Sequence, residues 1–336
     1  MFPSLSALLR PSSEIIGVCT GGKSKERDRS LRSGEAAAKS LRRQGYTVTV
    51  LDIAVPTFID EIREVDVAFL AIAGQYAEDG KLQGLLEMLG VPYTGSGVLA
   101  SAQAMHKPTA KKRLDGTIAR PIQPWVHCTE TQPTRSADAF AREWTDLVRA
   151  TLKLPVVVKP ASQGCSIDLH LARDDQQLHD VFTQLAPTSA DGQELVVEPY
   201  IQGRHLSCGV LEIGGEPVPL PPLEVVLKGE LYDHASKQHP EAHCVYHCPA
   251  PLPEPIHNQV SAAAVHAHQT LGCHGYSRSD FIADHDGQVW WLETNTLPGL
   301  TPTGNLATMA TAAGIDHDTL IERILQTAAD PRHYRP

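Results

Sequence analysis

Side chains of the types that bind metals and phosphate lie near the end of the chain, at Arg278, Asp280, Glu293 and Asn295. Between them, Asp286-Gly287 separates two alternating hydrophobic runs, which is the strongest short-range signal for a β-hairpin. A two-residue turn at this dipeptide places Asp280 opposite Glu293. By the same register, Arg278 lies opposite Asn295. Because strand side chains alternate between faces, we expect all four to converge on one face of the hairpin.

The facing carboxylates of Asp280 and Glu293 require a positive charge near them, because opposed Cβ atoms in a hairpin lie roughly 5 Å apart. Carboxylate and amide oxygens are ligands of Mg²⁺, which usually also binds substrate phosphates. The hairpin therefore predicts a magnesium site at Asp280, Glu293 and Asn295. The alternative is a surface hairpin with a scattered ion pair that faces water.

The composition indicates an ordinary folded protein, since 336 residues with 42% hydrophobic content are enough for two or three domains. The formal charge of −10 argues against nucleic acid or an anionic membrane as the main partner. Seven cysteines, spread singly along the chain, are expected to be reduced thiols, which favours the cytoplasm. The N-terminal residues do not resemble a signal peptide, and no segment approaches the ~20 apolar residues of a membrane span.

The order of predicted elements indicates an α/β (α+β) fold that begins with an open, mostly parallel sheet. Strand signals at 15–19, 47–51 and 65–70 alternate with helix signals at 30–43 and 82–89. Two further strands are predicted at 154–159 and 194–198, and the last third of the chain is β-rich with a closing helix near 316–328.

Residues 17–24 formally fit the phosphate-loop pattern G-x-x-x-x-G-K-[ST] between a strand and a helix. Gly17, however, is expected inside the strand, and no strand ends in an Asp suited to a second metal contact with this loop. Short patterns of this kind recur by chance in glycine-rich turns, so a P-loop nucleotidase is the weaker interpretation.

Three further motifs lie at residues 21–34, 78–84 and 92–101. Together with the hairpin, they resemble the D-alanine–D-alanine ligase family of ATP-grasp enzymes over nearly the whole chain, and the second and third are close to verbatim. The resemblance implies a three-domain ATP-grasp fold. Its parts are an N-terminal Rossmann-like domain at 1–105, a central lid domain at 106–201 and a C-terminal ATP-grasp domain at 202–336.

The resemblance implies that ATP and two Mg²⁺ ions, for which Mn²⁺ can substitute, are the cofactors. Lys107 and Lys159 match the lysines that contact the α- and β-phosphates, and Lys237 matches the mobile-loop lysine at the γ-phosphate. The other positions implied to bind ATP belong to the glycine-rich loop, the adenine segment and the ribose site: Gly164, Cys165, Ser166, Glu198, Tyr200, Ile201 and His205.

The same resemblance assigns catalytic roles. Glu26 is implied to hold the ammonium of the first amino acid, Arg278 to stabilise the transferred charge and Gly299 to form the oxyanion hole, with Ser166 and Lys237 completing the set. In the implied reaction, a carboxylate attacks the γ-phosphoryl of ATP to give an acyl phosphate. The amine of a second amino acid then displaces phosphate through a tetrahedral intermediate.

The chain departs from the family pattern at the amino-acid subsites. Ala73 stands where the family usually has a His, Cys165 where it has a Ser, and Gln238 where it commonly has a Tyr. Two residues, Asn305 and Leu306, occupy the place of a Ser-Leu pair that binds the second substrate. The positions implied to contact the amino acids are Glu26, Ala73, Gln238, Arg278, Gly299, Asn305 and Leu306.

These observations predict a cytoplasmic ATP-dependent ligase that joins two amino acids and has an altered amino-acid pocket. The alternatives are an ordinary D-alanine–D-alanine ligase of peptidoglycan synthesis and, less favoured, a non-catalytic ATP-binding relative. The expected partners are small-molecule amino acids and, by resemblance, a second copy of the chain in a homodimer. We expect neither nucleic acid nor a membrane as a partner.

Overall fold

The fold contains three β-sheets with helices packed on them. In the computed structural model, the described part of the chain is residue 9 and residues 14–129, 136–164, 167–229 and 243–330. The strands are β1 (Ile15–Thr20), β2 (Thr47–Asp52), β3 (Val67–Leu70), β4 (Val126–Cys128), β5 (Val156–Pro160), β6 (His170–Ala172), β7 (Leu195–Pro199), β8 (Gly203–Ile213), β9 (Glu216–Pro219), β10 (Leu223–Leu227), β11 (Cys244–His247), β12 (Tyr276–Asp284) and β13 (Val289–Asn295). The helices are α1 (Arg27–Arg43), α2 (Phe58–Glu61), α3 (Lys81–Leu89), α4 (Val98–Met105), α5 (Lys107–Arg113), α6 (Ala137–Thr151), α7 (Asp175–Ala190), α8 (Glu254–Thr270), α9 (Asn305–Ala312) and α10 (His317–Thr327), with a 3-10 turn at Ile62–Glu64.

The first sheet is parallel, with strand order β2-β1-β3, as the alternating strand and helix signals predict. Gly17 lies inside β1, and a Cβ at this position would be 2.9 Å from a Val65 methyl group. The P-loop interpretation is therefore wrong, because its first glycine must open the loop and here it belongs to a packed strand.

The central sheet is antiparallel, with strand order β4-β7-β5-β6. Its two helices begin at capping side chains: Ser136 accepts from the Ala139 N–H at 3.2 Å, and Asp174 accepts from the Gln177 N–H at 2.8 Å. The buried residues of this unit form a hydrophobic cluster of their own, drawn entirely from positions between 126 and 197.

The third sheet has the order β11-β10-β8-β12-β13, and β9 also pairs with β8. Both of its faces are covered. One face joins a core shared with the first sheet, whereas the other packs with α8 and with alanines of α4 and α5. The long strand β12 lies between β8 and β13, so its polar residues are held on both sides by ladder hydrogen bonds.

The hairpin of β12 and β13 has the predicted register at the polar residues but a different turn. Asp280 pairs with Glu293 and Arg278 with Asn295, which confirms the expected convergence. The two-residue turn is wrong: the Asp284 N–H bonds the Gln288 carbonyl, which encloses a three-residue loop with Gly287 at φ 76°. This one-residue shift is cancelled by a β-bulge next to Asp280, where Leu292 is the extra residue.

Two general expectations can be compared with the described residues. Cysteines 19, 128, 208, 244, 248 and 273 are free thiols, as predicted. None of the helices in this part of the chain is long and apolar enough to cross a membrane.

We expect Gly203→Ala to lower the free energy of unfolding by about 2–3 kcal/mol, because the new Cβ would lie 2.3 Å from the Ala283 carbonyl oxygen of the neighbouring strand. Gly84→Ala is the matched control, since its Cβ meets only a Val98 methyl at 3.9 Å inside α3. The control should stabilise the protein by up to about 1 kcal/mol through helix propensity. Urea denaturation of both variants tests this, and equal effects would contradict the packing at β8.

Candidate active site

The polar face of the hairpin is organised around Asp280. The Arg278 guanidinium donates to both Asp280 carboxylate oxygens, at 2.8 Å each, and the Ser207 hydroxyl on β8 donates to Oδ1 at 2.7 Å. Asn295 Nδ2 lies 3.5 Å from Oδ2. These groups neutralise and orient a carboxylate that is only 8% exposed.

Glu293, the second carboxylate among the predicted metal ligands, faces Lys107 instead, with Oε2 3.8 Å from Nζ. Lys107 Nζ also donates to the Gln163 carbonyl at 2.6 Å. The donor set of two carboxylates and one amide suits a hard cation such as Mg²⁺. Such an ion would share Asp280 with Arg278, whose double hydrogen bond occupies both carboxylate oxygens.

A buried charge network holds the second predicted phosphate lysine. Lys159 on β5 and Lys111 on α5 both pair with Glu198 on β7, and Lys111 Nζ lies 2.7 Å from Oε2. Burial alone would raise the pKa of Glu198, but the two ammonium groups lower it to about 2. Glu198 therefore positions the lysines with its side chain, and adenine binding at this segment stays a prediction.

Several of these charged groups line one cleft between the central and third sheets. Its walls include most positions predicted for the nucleotide, together with the hairpin carboxylates: Lys107, Lys159, Glu198, Tyr200, Ile201, His205, Asp280 and Glu293. Apolar residues such as Ile122, Val157 and Leu292 complete the cleft. A charged end that contains two lysines, beside an apolar slot, suits a ligand with phosphates and a planar base.

A smaller pocket adjoins the hairpin and contains the predicted amino-acid residues Glu26, Ala73 and Arg278, with Asn295. Gly74 has a φ of 85°, and a Cβ there would lie 2.3 Å from a Glu26 carboxylate oxygen. A Cβ on Gly164 would lie 2.8 Å from the same oxygen. Glu26 is thus enclosed by two glycine backbones: Gly74, which follows the last strand of the first sheet, and Gly164, in the glycine-rich turn.

The Ala73 backbone is fixed on both sides by serine hydroxyls. Its N–H donates to Ser30 Oγ at 3.0 Å, and its carbonyl accepts from Ser24 Oγ at 3.3 Å. Ala73 is among the residues that line the pocket. That this alanine replaces a family histidine and alters the pocket stays a prediction.

Sequence reasoning missed three charged residues of the site: Arg29, Glu78 and Lys111. Burial and the Glu26 carboxylate raise the pKa of Glu78 to about 8, against the opposing effects of the Gly74 N–H, Arg29 and Arg278. The Arg29 guanidinium lies 3.2 Å from the place where a Cβ on Gly299 would be. The sequence did contain one signal for Lys111: it follows Lys107 by one helical turn, so the two lysines lie on the same face of the helix.

The remaining predicted residues have mixed outcomes. Asn305 is the first residue of α9, whereas Leu306 is 1% exposed and its side chain belongs to the shared core. Cys165, Ser166, Lys237 and Gln238 lie outside the described residues. Their roles stay predictions.

Comparison with known proteins identifies the family. The family model for the D-ala D-ala ligase C-terminus matches residues 117–326, and the model for the D-ala D-ala ligase N-terminus matches residues 54–96. The chain belongs to the D-alanine–D-alanine ligase family. A D-alanine–D-alanine ligase from Anaeromyxobacter sp. (strain Fw109-5) is 39% identical over 316 residues, which cover 94% of this chain and 96% of the relative.

Solved structures of this family share the fold. A D-alanine–D-alanine ligase from Bacillus anthracis superposes with a TM-score of 0.78 at 29% identity, covering 94% of this chain and 97% of the other. The same enzyme complexed with ATP gives a TM-score of 0.76 at 28% identity, with the same coverage. The predicted ATP-grasp fold and ATP-dependent ligase class are confirmed. The three domain boundaries stay predictions.

We expect Lys111→Met to lower the free energy of unfolding by about 3 kcal/mol, because it removes one of two cations from a fully buried carboxylate. Lys112→Met changes an exposed neighbour on the same helix and should have little effect on the free energy of unfolding.

The pKa of Glu198 is lowered in the folded state, so its carboxylate stabilises the protein at pH values above its unfolded-state pKa and loses this effect as the pH falls. In Lys111→Met that loss should begin at a higher pH. Denaturation curves that match for the two variants would contradict the buried network.

Glu78 gives the stability of the protein a second pH dependence, opposite in sign to that from Glu198. Its folded pKa of about 8 lies above the ordinary value of 4.5, so the ligand-free folded protein keeps a proton that the unfolded chain releases. Its contribution to stability is complete below about pH 4.5 and is lost as the pH rises through about 8. Urea denaturation at several pH values between about 4.5 and 8 measures how the free energy of unfolding declines with pH. This decline should be smaller for Glu78→Gln than for wild type. The variant Glu64→Gln, at an exposed site, should show the same decline as wild type. A decline in Glu78→Gln as steep as in wild type would contradict the raised pKa of Glu78.

Proposed function

We propose that this ATP-dependent ligase joins the carboxylate of one amino acid to the amine of another through an acyl phosphate. The supporting observation is that the hairpin face, with Arg278, Asp280, Glu293 and Asn295, lies between a cleft lined by Lys107 and Lys159 and a small pocket lined by Glu26 and Ala73. A carboxylate held near Arg278 would lie beside the phosphate end of the cleft. Because the relatives are D-alanine–D-alanine ligases, D-alanine is the first candidate for both substrates.

Each residue of the site has a proposed task. Lys107 and Lys159 bind ATP phosphates, and Glu26 binds the ammonium of the first amino acid, for which its enclosed carboxylate is suited. Arg278 and the Gly299 backbone stabilise negative charge that develops on the transferred and tetrahedral groups. Asp280, Glu293 and Asn295 would hold Mg²⁺, which supplies charge neutralisation for the phosphates when bound.

The second candidate is a ligase whose preferred amino acids differ from two D-alanines. Its support is the Ala73 methyl group in the pocket wall, where an imidazole is usual in the family. Cys165 and Gln238 add to this hypothesis from the sequence alone. We also propose, from family resemblance, that the protein is a homodimer and acts in the cytoplasm.

ATP-dependent phosphate release, with mass analysis of the products, should distinguish the candidates on a panel of D- and L-amino acids given singly and in pairs. Dialanine from D-alanine alone would assign the family reaction. Turnover with other amino acids only would assign the altered pocket. Absence of phosphate release across the panel would contradict both.

We expect Asp280→Asn to lower kcat by about 10²-fold or more, because it weakens the proposed Mg²⁺ site and the Arg278 pairing together. Asp286→Asn is the matched control, since this carboxylate is exposed at the turn of the same hairpin. It should retain near-wild-type turnover. Equal activity of the two variants would contradict the role of the hairpin face.

A further inference from the structure

A cluster of two histidines and a glutamate lies outside the site described above. His106 occupies the junction between α4 and α5, His127 is in β4, and Glu194 immediately precedes β7. Both imidazole Nε2 atoms face the same carboxylate oxygen: His106 Nε2 lies 2.8 Å and His127 Nε2 3.1 Å from Glu194 Oε2. The three ligand atoms all lie within 4.8 Å of one another.

Both ring nitrogens of His106 have partners, so the ring is held in place. His106 Nδ1 lies 2.6 Å from the Thr109 hydroxyl, which accepts a hydrogen bond when Nδ1 carries the proton and donates one when Nε2–H points to Glu194. A metal ion at Nε2 would select the first arrangement, in which Thr109 orients the ring from its other side.

We propose that His106, His127 and Glu194 form a binding site for a transition metal ion of the Zn²⁺ class. Two imidazoles and one carboxylate are a typical ligand set for Zn²⁺, whereas Mg²⁺ prefers oxygen alone. A tetrahedral ion with ligand bonds of ~2.0–2.1 Å separates its ligand atoms by roughly 3.3 Å, so the present contacts need to open only slightly. The side chains are 29%, 26% and 39% exposed, which lets an ion enter and leaves a position for water.

The site would connect parts of the molecule that belong to different hydrophobic clusters. Ala104 and Ala110, on either side of His106, pack with the third sheet, whereas β4 and β7 belong to the central cluster. Between them, the Lys107 N–H bonds the Ala161 carbonyl at 2.9 Å, and the Ala161 N–H bonds the Glu194 carbonyl at 2.8 Å. A bound ion would therefore tie the segment that carries Lys107 to the central sheet. This proposal does not depend on which amino acids the enzyme joins.

Metal binding can be measured directly on the full-length protein without an affinity tag. The protein is stripped with a chelator and kept reduced, with Mg²⁺ in excess to occupy the proposed site at Asp280 and Glu293. Zn²⁺ is then titrated by calorimetry, and Co²⁺ by its visible absorption, which reports tetrahedral coordination. The test variants are His127→Gln and Glu194→Gln, which leave the residue next to Lys107 unchanged.

Two control variants address other histidines. His179 is 27% exposed and lies 3.3 Å from Asp138 and 4.0 Å from Asp180 in the same central unit, so His179→Gln removes a histidine that faces carboxylates elsewhere in that unit. His274→Gln removes a histidine of the other cluster, formed with Glu212 and Asp330. We expect one site in the wild type, with a Kd that rises at least about tenfold in both test variants and is unchanged in both controls.

Three results would overturn the proposal. The first is a wild-type Zn²⁺ Kd weaker than about 100 μM, which would leave protons as the groups that bridge the cluster. The second is equal Zn²⁺ binding by wild type and His127→Gln, provided that circular dichroism and the thermal midpoint show the variant to be folded like the wild type. Loss of binding in His274→Gln alone would assign the ion to the other cluster and would also contradict the proposal.

Discussion

The register between β12 and β13 is the constraint on which the arrangement of the site depends. A slip of one residue would move Glu293 and Asn295 to the opposite face of the sheet, away from Asp280. The three-residue turn on its own would produce this slip, and the bulge at Leu292 reverses it. Pairing of β12 with β8 then fixes the strand from its other side, where Ser207 contacts Asp280.

Given that register, the site gathers negative groups in a poorly hydrated place, and three of them are balanced by nearby cations. Asp280 is paired with Arg278, Glu293 faces Lys107, and Glu198 binds two lysines. Glu78 differs, because burial and Glu26 favour its protonated form. The cations come from α5, β5 and β12, so the charge balance also links the central and third sheets.

Much of this organisation could be predicted from the sequence. Alternation of strand and helix signals located the parallel sheet, and the Asp-Gly hairpin placed Asp280 opposite Glu293. The turn type was wrong because periodicity does not reveal a bulge, and the two one-residue errors cancelled at the residues of interest.

Other features depend on tertiary contacts that no local pattern specifies. Lys111 reads as one more basic residue of a helix until packing buries it against Glu198. The smaller pocket, which contains Arg29 and Glu78, forms only where residues around the first sheet meet the hairpin of the third sheet. In the same way, Leu306 was expected to contact substrate, but its side chain fills the shared core behind Gly209.

The surroundings of Glu26 have a consequence for how this enzyme can diverge over generations. A Cβ at Gly74 or Gly164 would press on the Glu26 carboxylate, so a side chain at either position would displace that carboxylate. At Ala73, by contrast, Ser24 and Ser30 hold the backbone through its carbonyl and N–H, and these bonds do not depend on the side chain. A change of side chain at residue 73 therefore leaves these two anchors in place, so the wall of the pocket can vary there without moving the backbone beside Glu26.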